Sequence, residues 1–290
     1  MDYVKLEKFL KNKIPNADVD VIGKSVLGRN IYAVYFDFHS NYNVIIQASI
    51  HAREHITTSL VVKFIKDVSK NFEFYKQLNM PNIIFVPMAN PDGVMISCHG
   101  LKSVKNEKVK FKLQKINIKN EDFTLFKANA NAVDLNNNFD ANWGTGKENV
   151  KLPAFHGYIG KRPESEPEVK ALVSLTKKVK PCFTISYHCK GEEIYYDFYQ
   201  SGRERKRDKK IAKLFAKATG YKIKSTEKSS SGGYKDWCVQ KLKIPSITVE
   251  VGSDNLSHPI SEKFLPEIYQ KNKNVIKLLP KAMKIFQTYK

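Results

Sequence analysis

Residues 43–55 read NVIIQASIHAREH, and their hydrophobic pattern changes halfway along. The run 43–50 is short, apolar and β-branched, which predicts a buried strand. Apolar residues then recur at helical spacing over 57–69, which predicts a helix. His51 and Glu54 therefore lie on the turn between strand and helix, where side chains three positions apart point the same way. Imidazole nitrogen and carboxylate oxygen are both good zinc ligands, so this turn is a candidate metal site.

A single His-x-x-Glu pair is a weak signal in a chain with 7 histidines. The alternative interpretation is a capping carboxylate and a surface histidine at a helix start. A metal-dependent enzyme needs more: a third ligand, a base and a cation that stabilises negative charge.

The bulk composition is that of an ordinary globular chain with a sizeable core: 290 residues, 42% hydrophobic and 27% charged. We expect a single catalytic domain over residues 1–290. The first fifteen residues carry charges every few positions, so we expect no signal peptide. No uncharged apolar run approaches the length of a membrane span. These features predict a cytoplasmic protein without a membrane partner.

The formal net charge of +20 raises the possibility of a polyanionic partner. However, 43 of the 49 basic residues are lysine and 6 are arginine. Specific phosphate and carboxylate recognition favours arginine forks, so a lysine-rich solvated surface is the preferred interpretation. No aromatic and basic interleaved motif is present, and we expect no nucleic-acid partner.

None of the four cysteines forms a C-x-x-C pair, which disfavours a cysteine-based zinc site. In a long chain without a leader they are expected to be free thiols. Cys189 directly follows a histidine, which would suit a nucleophilic cysteine, but the sequence around it contains no second motif that could assist such a reaction.

Alternating strands and helices predict a three-layer α/β/α sandwich around a mixed, mostly parallel sheet. The 90–93 NPDG motif is a strong turn signal, and 101–121 predicts a hairpin or an exposed insertion. The predicted strands lie within 23–37 and at 43–50, 82–87, 182–187 and 244–251. The predicted helices lie within 1–15 and at 57–69, 165–180, 203–219, 234–241 and about 262–289.

Polar residues stand at or near the ends of three predicted strands: His51 with Glu54, then His188, then Glu250. The carboxyl ends of strands are where sites gather in such sheets. Two histidines and one glutamate would leave one coordination position for water, as catalytic zinc sites do. Glu250 in an apolar strand is then a general base, or alternatively pairs with a nearby lysine.

These residues belong to ordered motifs: HARE at 51–54, NPDG at 90–93, VDLN at 133–136 and TVEVG at 248–252. Together with the His188 strand they resemble the zinc carboxypeptidase family of carboxypeptidase A. The similarity covers about residues 20–255. It looks closest to the bacterial γ-D-glutamyl-meso-diaminopimelate peptidase I branch through four further stretches: DFTLFKANANAVDLN (122–136), SEPE (165–168), HCKGEEIYY (188–196) and SGGYKDW (231–237).

The resemblance implies one zinc ion per chain and assigns a role to each matching position. These roles are zinc ligation by His51, Glu54 and His188, general base and acid for Glu250, polarisation of the scissile carbonyl for Lys127, support of the first zinc histidine for Asp134, and contact with a substrate carboxylate for Asn136.

Two positions depart from the digestive members of this family. Asn137 stands where those enzymes have the arginine that clamps a C-terminal carboxylate, and an amide cannot form that ionic fork. Their mobile tyrosine falls near Lys228, while Tyr234 follows six residues later. Asn137, Lys228 and Tyr234 are therefore further candidates for substrate binding.

We expect a zinc metallopeptidase that cleaves the amide bond between γ-D-Glu and diaminopimelate in small peptidoglycan-derived peptides. One alternative is a metallocarboxypeptidase acting on ordinary peptides. An alternative of another class is a zinc-binding or anion-binding module without turnover, against which a buried glutamate base argues. The sequence gives no indication of the oligomeric state.

Overall fold

The fold is built on one eight-stranded sheet in a computed structural model that describes residues 1–117, 122–225 and 230–289. Within these residues the strands run across the sheet in the order β1-β2-β4-β3-β5-β8-β6-β7. The strands are β1 (Asp18–Lys24), β2 (Asn30–Phe36), β3 (Asn43–Ala48), β4 (Asn82–Val86), β5 (Phe183–His188), β6 (Glu193–Tyr195), β7 (Lys222–Lys224) and β8 (Ser246–Glu250).

The four central strands β4, β3, β5 and β8 are parallel to one another. Antiparallel pairing occurs where β2 joins β1 and β4, and where β6 joins β8. The mixed sheet predicted from the sequence is therefore confirmed. Its parallel centre brings the carboxyl ends of β3, β5 and β8 to one edge.

Helices cover both faces of the sheet. They are α1 (Tyr3–Lys11), α2 (Ile56–Lys70), α3 (Phe72–Lys76), α4 (Pro91–His99), α5 (Glu107–Ile116), α6 (Pro167–Val179), α7 (Gly202–Thr219), α8 (Tyr234–Leu242), α9 (Leu265–Asn272) and α10 (Leu279–Thr288). One core joins the sheet to α2, α7 and α10, and a second joins the opposite face to α6 and α8. This is the three-layer arrangement expected. None of the helices described is long and apolar enough to cross a membrane.

The strand and helix that flank His51 form as their periodicity predicts. Five of the six residues of β3 are buried, because a central parallel strand is covered on both faces. Leu60, Phe64 and Ile65 of α2 are buried against the sheet, while Lys66 and Lys70 stay exposed. The turn between these two elements is thus held between well-packed segments.

The isolated turn predicted at 90–93 and the hairpin alternative for 101–121 were wrong, and residues 118–121 of the latter stretch lie outside the described residues. The NPDG motif does not form an isolated turn: Asn90 caps α4 by accepting from the backbone N–H of Gly93 at 2.9 Å, and Pro91 occupies the first helical position. Residues 107–116 form a helix instead of a hairpin. Leu113 is the buried residue of this helix and Phe111 is exposed. Helical spacing of the apolar residues, and not a strand-like alternation of apolar and polar residues, therefore decides the conformation here.

The two ends of the chain also differ from expectation. β1 is an edge strand whose polar residues obscured its pattern, and it was not predicted. The predicted final helix is divided into α9 and α10. Pro280 lies in the first turn of α10, where the missing N–H is tolerated, so the apolar run does not continue as one helix.

Gly93→Ala is expected to destabilise the protein, because an added Cβ would lie 2.4 Å from the Ala128 carbonyl oxygen and the Asn90 amide. Asn90 also donates to the carbonyl of Ile50, just before the first predicted metal ligand. We expect a loss of about 2 kcal/mol in the free energy of unfolding, measured by urea denaturation. Ser97→Ala in the same helix removes one hydroxyl hydrogen bond and should cost about 1 kcal/mol. Equal losses in both variants would contradict the steric account.

Candidate active site

The predicted reacting groups meet at the carboxyl edge of the sheet. His51 follows β3, and His188 ends β5. Parallel pairing of β5 with β8 sets His188 directly opposite Glu250. Glu54 lies three residues after His51 on a single turn of 3₁₀ helix that precedes α2. The strand register thus places His188 beside Glu250, although 62 positions separate them in the chain (250 − 188). The pairing of β3 with β5 brings His51 to His188 across 137 positions.

His51, Glu54 and His188 form a compact cluster, and all three are buried. Nδ1 of His51 lies 2.9 Å from one carboxylate oxygen of Glu54, and Nδ1 of His188 lies 3.1 Å from the other. The two Nδ1 atoms are 3.1 Å apart. Across the described ranges 1–117, 122–225 and 230–289, this is the one group of three such side chains placed to share a metal ion.

The donor set of this cluster fits zinc. Two imidazole nitrogens and a carboxylate converge within 4.8 Å, and three protein ligands are typical of a catalytic zinc centre. Nε2 of His51 lies 3.3 Å from Asp134 Oδ1, a contact that favours the proton on Nε2 and a lone pair on Nδ1. Burial opposes ionisation of Glu54, but the two histidines hold the pKa of its carboxyl well below the usual range. The carboxylate is therefore available as a ligand.

Asp134 connects the metal cluster to Lys127. Its Oδ2 lies 3.2 Å from Lys127 Nζ and accepts from the Gly157 N–H at 3.1 Å. Although burial opposes ionisation, Lys127 and His51 hold the pKa of Asp134 well below its usual range. Burial likewise opposes the charge on Lys127, but Asp134 and Glu54 raise the pKa of its ammonium. The structure thus maintains a fixed positive charge beside the metal cluster.

Glu250 is half-buried at the end of β8, and its Oε2 is a buried atom without a hydrogen-bond partner among the described residues. Burial, opposed by His188 and reinforced by Glu54, raises the pKa of its carboxyl to about 7. Within the described residues no ion pair joins a lysine to Glu250, so the alternative of a nearby lysine partner finds no support there. An unengaged carboxyl with a pKa near neutrality suits a group that accepts and returns a proton.

The predicted substrate-binding residues fare differently. Asn136 lies at the wall of a cavity beside Glu250, and its Oδ1 accepts from the Tyr234 N–H at 3.1 Å. Tyr234 is fully buried, with its hydroxyl 2.8 Å from Thr176 Oγ1, so the predicted substrate contact of its side chain was wrong. Asn137 is half-buried, and its role stays a prediction. Lys228 lies outside the described residues.

The cavity itself was not predicted. It has a volume of about 400 Å³ and lies between β6, β8, the start of α8 and β7. Its lining comprises Asn136, Tyr195, Lys224, Ser225, Ser230, Gly233, Lys235, Asp236, Thr248 and Glu250. The SGGYKDW stretch contributes three of these residues, and its charged KD pair was the signal available in the sequence.

A sheet of this form with a buried His-Glu-His cluster and a neighbouring carboxyl defines a metal-dependent hydrolase. Residues 3–275 match the family model for zinc carboxypeptidases. The chain belongs to this family of zinc-dependent metallopeptidases, as its motifs predict.

Relatives and solved structures agree with this assignment. The chain is 32% identical over 274 residues to gamma-D-glutamyl-L-diamino acid endopeptidase 1 of Lysinibacillus sphaericus. The aligned region covers 91% of this chain and 67% of that protein. It is 30% identical over 150 residues to murein peptide amidase A of Escherichia coli K12, and this alignment covers 48% of this chain and 56% of that protein. The same fold occurs in bovine thrombin-activatable fibrinolysis inhibitor, solved in complex with tick carboxypeptidase inhibitor, with a TM-score of 0.75 and 19% identity. The superposition covers 99% of this chain and 96% of that chain.

Asp134→Asn is expected to weaken zinc binding by about 10- to 100-fold, because the amide neither matches the charge nor orients the His51 ring as the carboxylate does. Zinc affinity would be measured by competition with a chromophoric chelator. Asp140→Asn is the matched control, since Asp140 is half-exposed and pairs with Lys241 on the surface. Unchanged affinity in Asp134→Asn would refute the supporting role.

Proposed function

We propose that this protein hydrolyses the amide bond between γ-D-Glu and a diamino acid in small peptidoglycan-derived peptides. The observation that carries the proposal is Glu250, whose buried Oε2 lacks a hydrogen-bond partner among the described residues and which lines a polar cavity beside the predicted zinc ligands. A metal-binding module without turnover has no use for such a group. Residues 1–290 act as one catalytic domain in this proposal.

Glu250 takes a proton from the attacking water and later delivers it to the leaving nitrogen. The pKa of about 7 lets the carboxyl perform both steps near neutral pH. Lys127, held 3.2 Å from Asp134, supplies positive charge where the carbonyl oxygen becomes negative. The two groups thus act on opposite ends of the scissile amide.

His51, Glu54 and His188 would hold the zinc ion, which supplies Lewis acidity to this site when bound. The chain itself orients the ligands: Asp134 fixes the His51 ring, and the backbone N–H of Cys189 donates to Glu54 at 3.3 Å. Both contacts are made by buried groups, so the ligand geometry is set before substrate arrives.

The choice of substrate rests on the relatives and on the character of the cleft. The chain is 32% identical over 274 residues to an endopeptidase whose name specifies a γ-D-glutamyl-L-diamino acid bond. The cavity is lined mainly by polar and charged residues, which suits a polar muropeptide better than an apolar C-terminal residue. Asn137 stands where the digestive members of the family have the arginine that clamps a C-terminal carboxylate. Its neutral amide agrees with a substrate other than an ordinary peptide.

A metallocarboxypeptidase is the second candidate, and one observation favours it. Asn136 lies in the cavity wall beside Glu250, where it can contact the carboxylate of a terminal residue. A cytoplasmic location and the absence of a nucleic-acid partner stay predictions.

Glu250→Gln is expected to lower kcat on L-Ala-γ-D-Glu-diaminopimelate by at least about 100-fold, because the amide cannot accept the proton. Product release would be followed by mass spectrometry, with and without a chelator. Glu267→Gln, at an exposed position on α9, is the matched control and should retain activity. Full activity in Glu250→Gln or in the presence of chelator would contradict the mechanism. Cleavage of an all-L peptide alone would retain the mechanism and exclude the proposed substrate.

The two candidate modes differ in their need for a free carboxylate on the leaving residue. An endopeptidase should cleave peptides in which diaminopimelate carries a further D-Ala, whereas a carboxypeptidase should release D-Ala or leave the γ-D-Glu bond intact. We expect cleavage at the γ-D-Glu bond in both the tripeptide and the extended peptide, because Asn137 offers no cationic clamp. Loss of that cleavage on extension would favour the carboxypeptidase mode.

A further inference from the structure

Lys127 and Asp134 lie at the two ends of one turn of the chain, residues 127–134. The Nζ atom of Lys127 and Oδ2 of Asp134 are 3.2 Å apart, so both ends of this turn reach the reacting groups. Inside the turn, the backbone N–H of Asn129 donates to the Val133 carbonyl at 2.9 Å and closes it. The conformation of the turn therefore decides where the positive charge and the carboxylate that supports the metal cluster are placed.

The side chain of Asn129 holds the turn from within. Its Oδ1 accepts from the backbone N–H groups of Asn131 at 3.0 Å and Val133 at 3.1 Å. Its Nδ2 donates to Glu166 Oε2 at 2.8 Å and to Glu168 Oε2 at 3.0 Å. An amide can make four hydrogen bonds, and this one makes all four. One fully buried side chain thus joins the turn to the start of α6.

The two glutamates belong to a buried group of acids. The carboxyl groups of Asp92, Glu166 and Glu168 are all buried, and Arg29 and Lys112 face them. Burial, reinforced by the negative charge of Asp92, raises the pKa of the Glu168 carboxyl to about 8. At pH 7 Glu168 is therefore neutral, and it contacts Asn129 as a hydrogen-bond acceptor rather than as a charge.

We propose that Asn129 is a positioning residue for the reaction and that Glu168 holds it in place. Asn129 acts through the turn, which presents Lys127 to the scissile carbonyl and Asp134 to the His51 ring. The inference rests on the proposed function for the role of Lys127. Its zinc side is independent of the substrate, because Asp134 contacts a predicted zinc ligand whichever peptide is cleaved.

Asn129→Ala tests the positioning role directly, because it leaves four buried groups without their partner. Zinc affinity should fall about tenfold, at the lower end of the roughly 10- to 100-fold contributed by outer partners of a metal ligand. It would be measured by competition with a chromophoric chelator, well below the unfolding temperature. On L-Ala-γ-D-Glu-diaminopimelate, kcat should fall about tenfold while KM stays within about twofold, since the displaced groups act on the reacting bond.

Asn272→Ala is the matched control. Asn272 lies in α9, is as fully buried as Asn129, and donates to the Tyr221 hydroxyl at 2.9 Å. Its loss should lower the thermal stability, because a buried amide and its partners are disrupted. Zinc affinity and kcat should stay at the wild-type values, since Asn272 makes no contact with the turn.

Two substitutions at Glu168 test how this residue acts. Glu168→Gln keeps the shape and an oxygen that accepts from the Asn129 amide, so zinc affinity and kcat should stay within about twofold of wild type. Glu168→Leu removes the acceptor, and both quantities should fall about tenfold, as in Asn129→Ala. A general packing role for Glu168 would not separate the neutral polar replacement from the apolar one in this way.

The outcomes separate this inference from the proposed function. Unchanged zinc affinity and kcat in Asn129→Ala, or equal losses in Asn272→Ala, would overturn the inference. A loss in Glu168→Gln as large as that in Glu168→Leu would overturn the role given to Glu168. If the wild type cleaves no γ-D-Glu peptide, the proposed function fails, and the zinc affinities of the variants still decide the inference. If Asn129→Ala does not fold, the comparison of the two Glu168 variants decides it.

Discussion

The site depends on the parallel pairing of β5 with β8 and of β3 with β5, which brings three strand ends to one edge of the sheet. His188 lies opposite Glu250 because of that register, and a slip of one residue in β8 would turn Glu250 to the other face of the sheet. Asp134 then adds a buried carboxylate that contacts both His51 and Lys127. The reacting groups are thus positioned by backbone pairing and their charges are balanced by one shared acid.

Much of this arrangement follows from local sequence. The change of period around 43–69 predicts the strand, the turn and the helix, because burial on both faces of a central strand and on one face of α2 leaves a strong pattern. His51 and Glu54 are close in sequence, so their proximity is predictable from a single turn. His188 and Glu250 follow from a different argument: polar residues at the ends of apolar strands are costly without a partner.

The remaining features depend on contacts between distant segments. Tyr234 carries no local mark that distinguishes a core hydroxyl bonded to Thr176 from one that faces a substrate. The edge strand β1 lacks a strong apolar period, so tertiary packing decides its conformation. In α5 the alternating Val109, Phe111 and Leu113 compete with the helical spacing, and the burial of Leu113 decides between them. The cavity is bordered by segments from five parts of the chain, and no spacing in the sequence brings Lys224 near Asp236.

The most direct test of the account is a crystal structure of the zinc-loaded protein with anomalous data collected at the zinc edge. The account predicts one strong anomalous peak per chain, within coordination distance of His51 Nδ1, His188 Nδ1 and the Glu54 carboxylate. Glu250 should remain outside the coordination sphere and face the cavity. A peak elsewhere, or one coordinated by Glu250, would contradict the assignment of ligands and base on which the proposed chemistry rests.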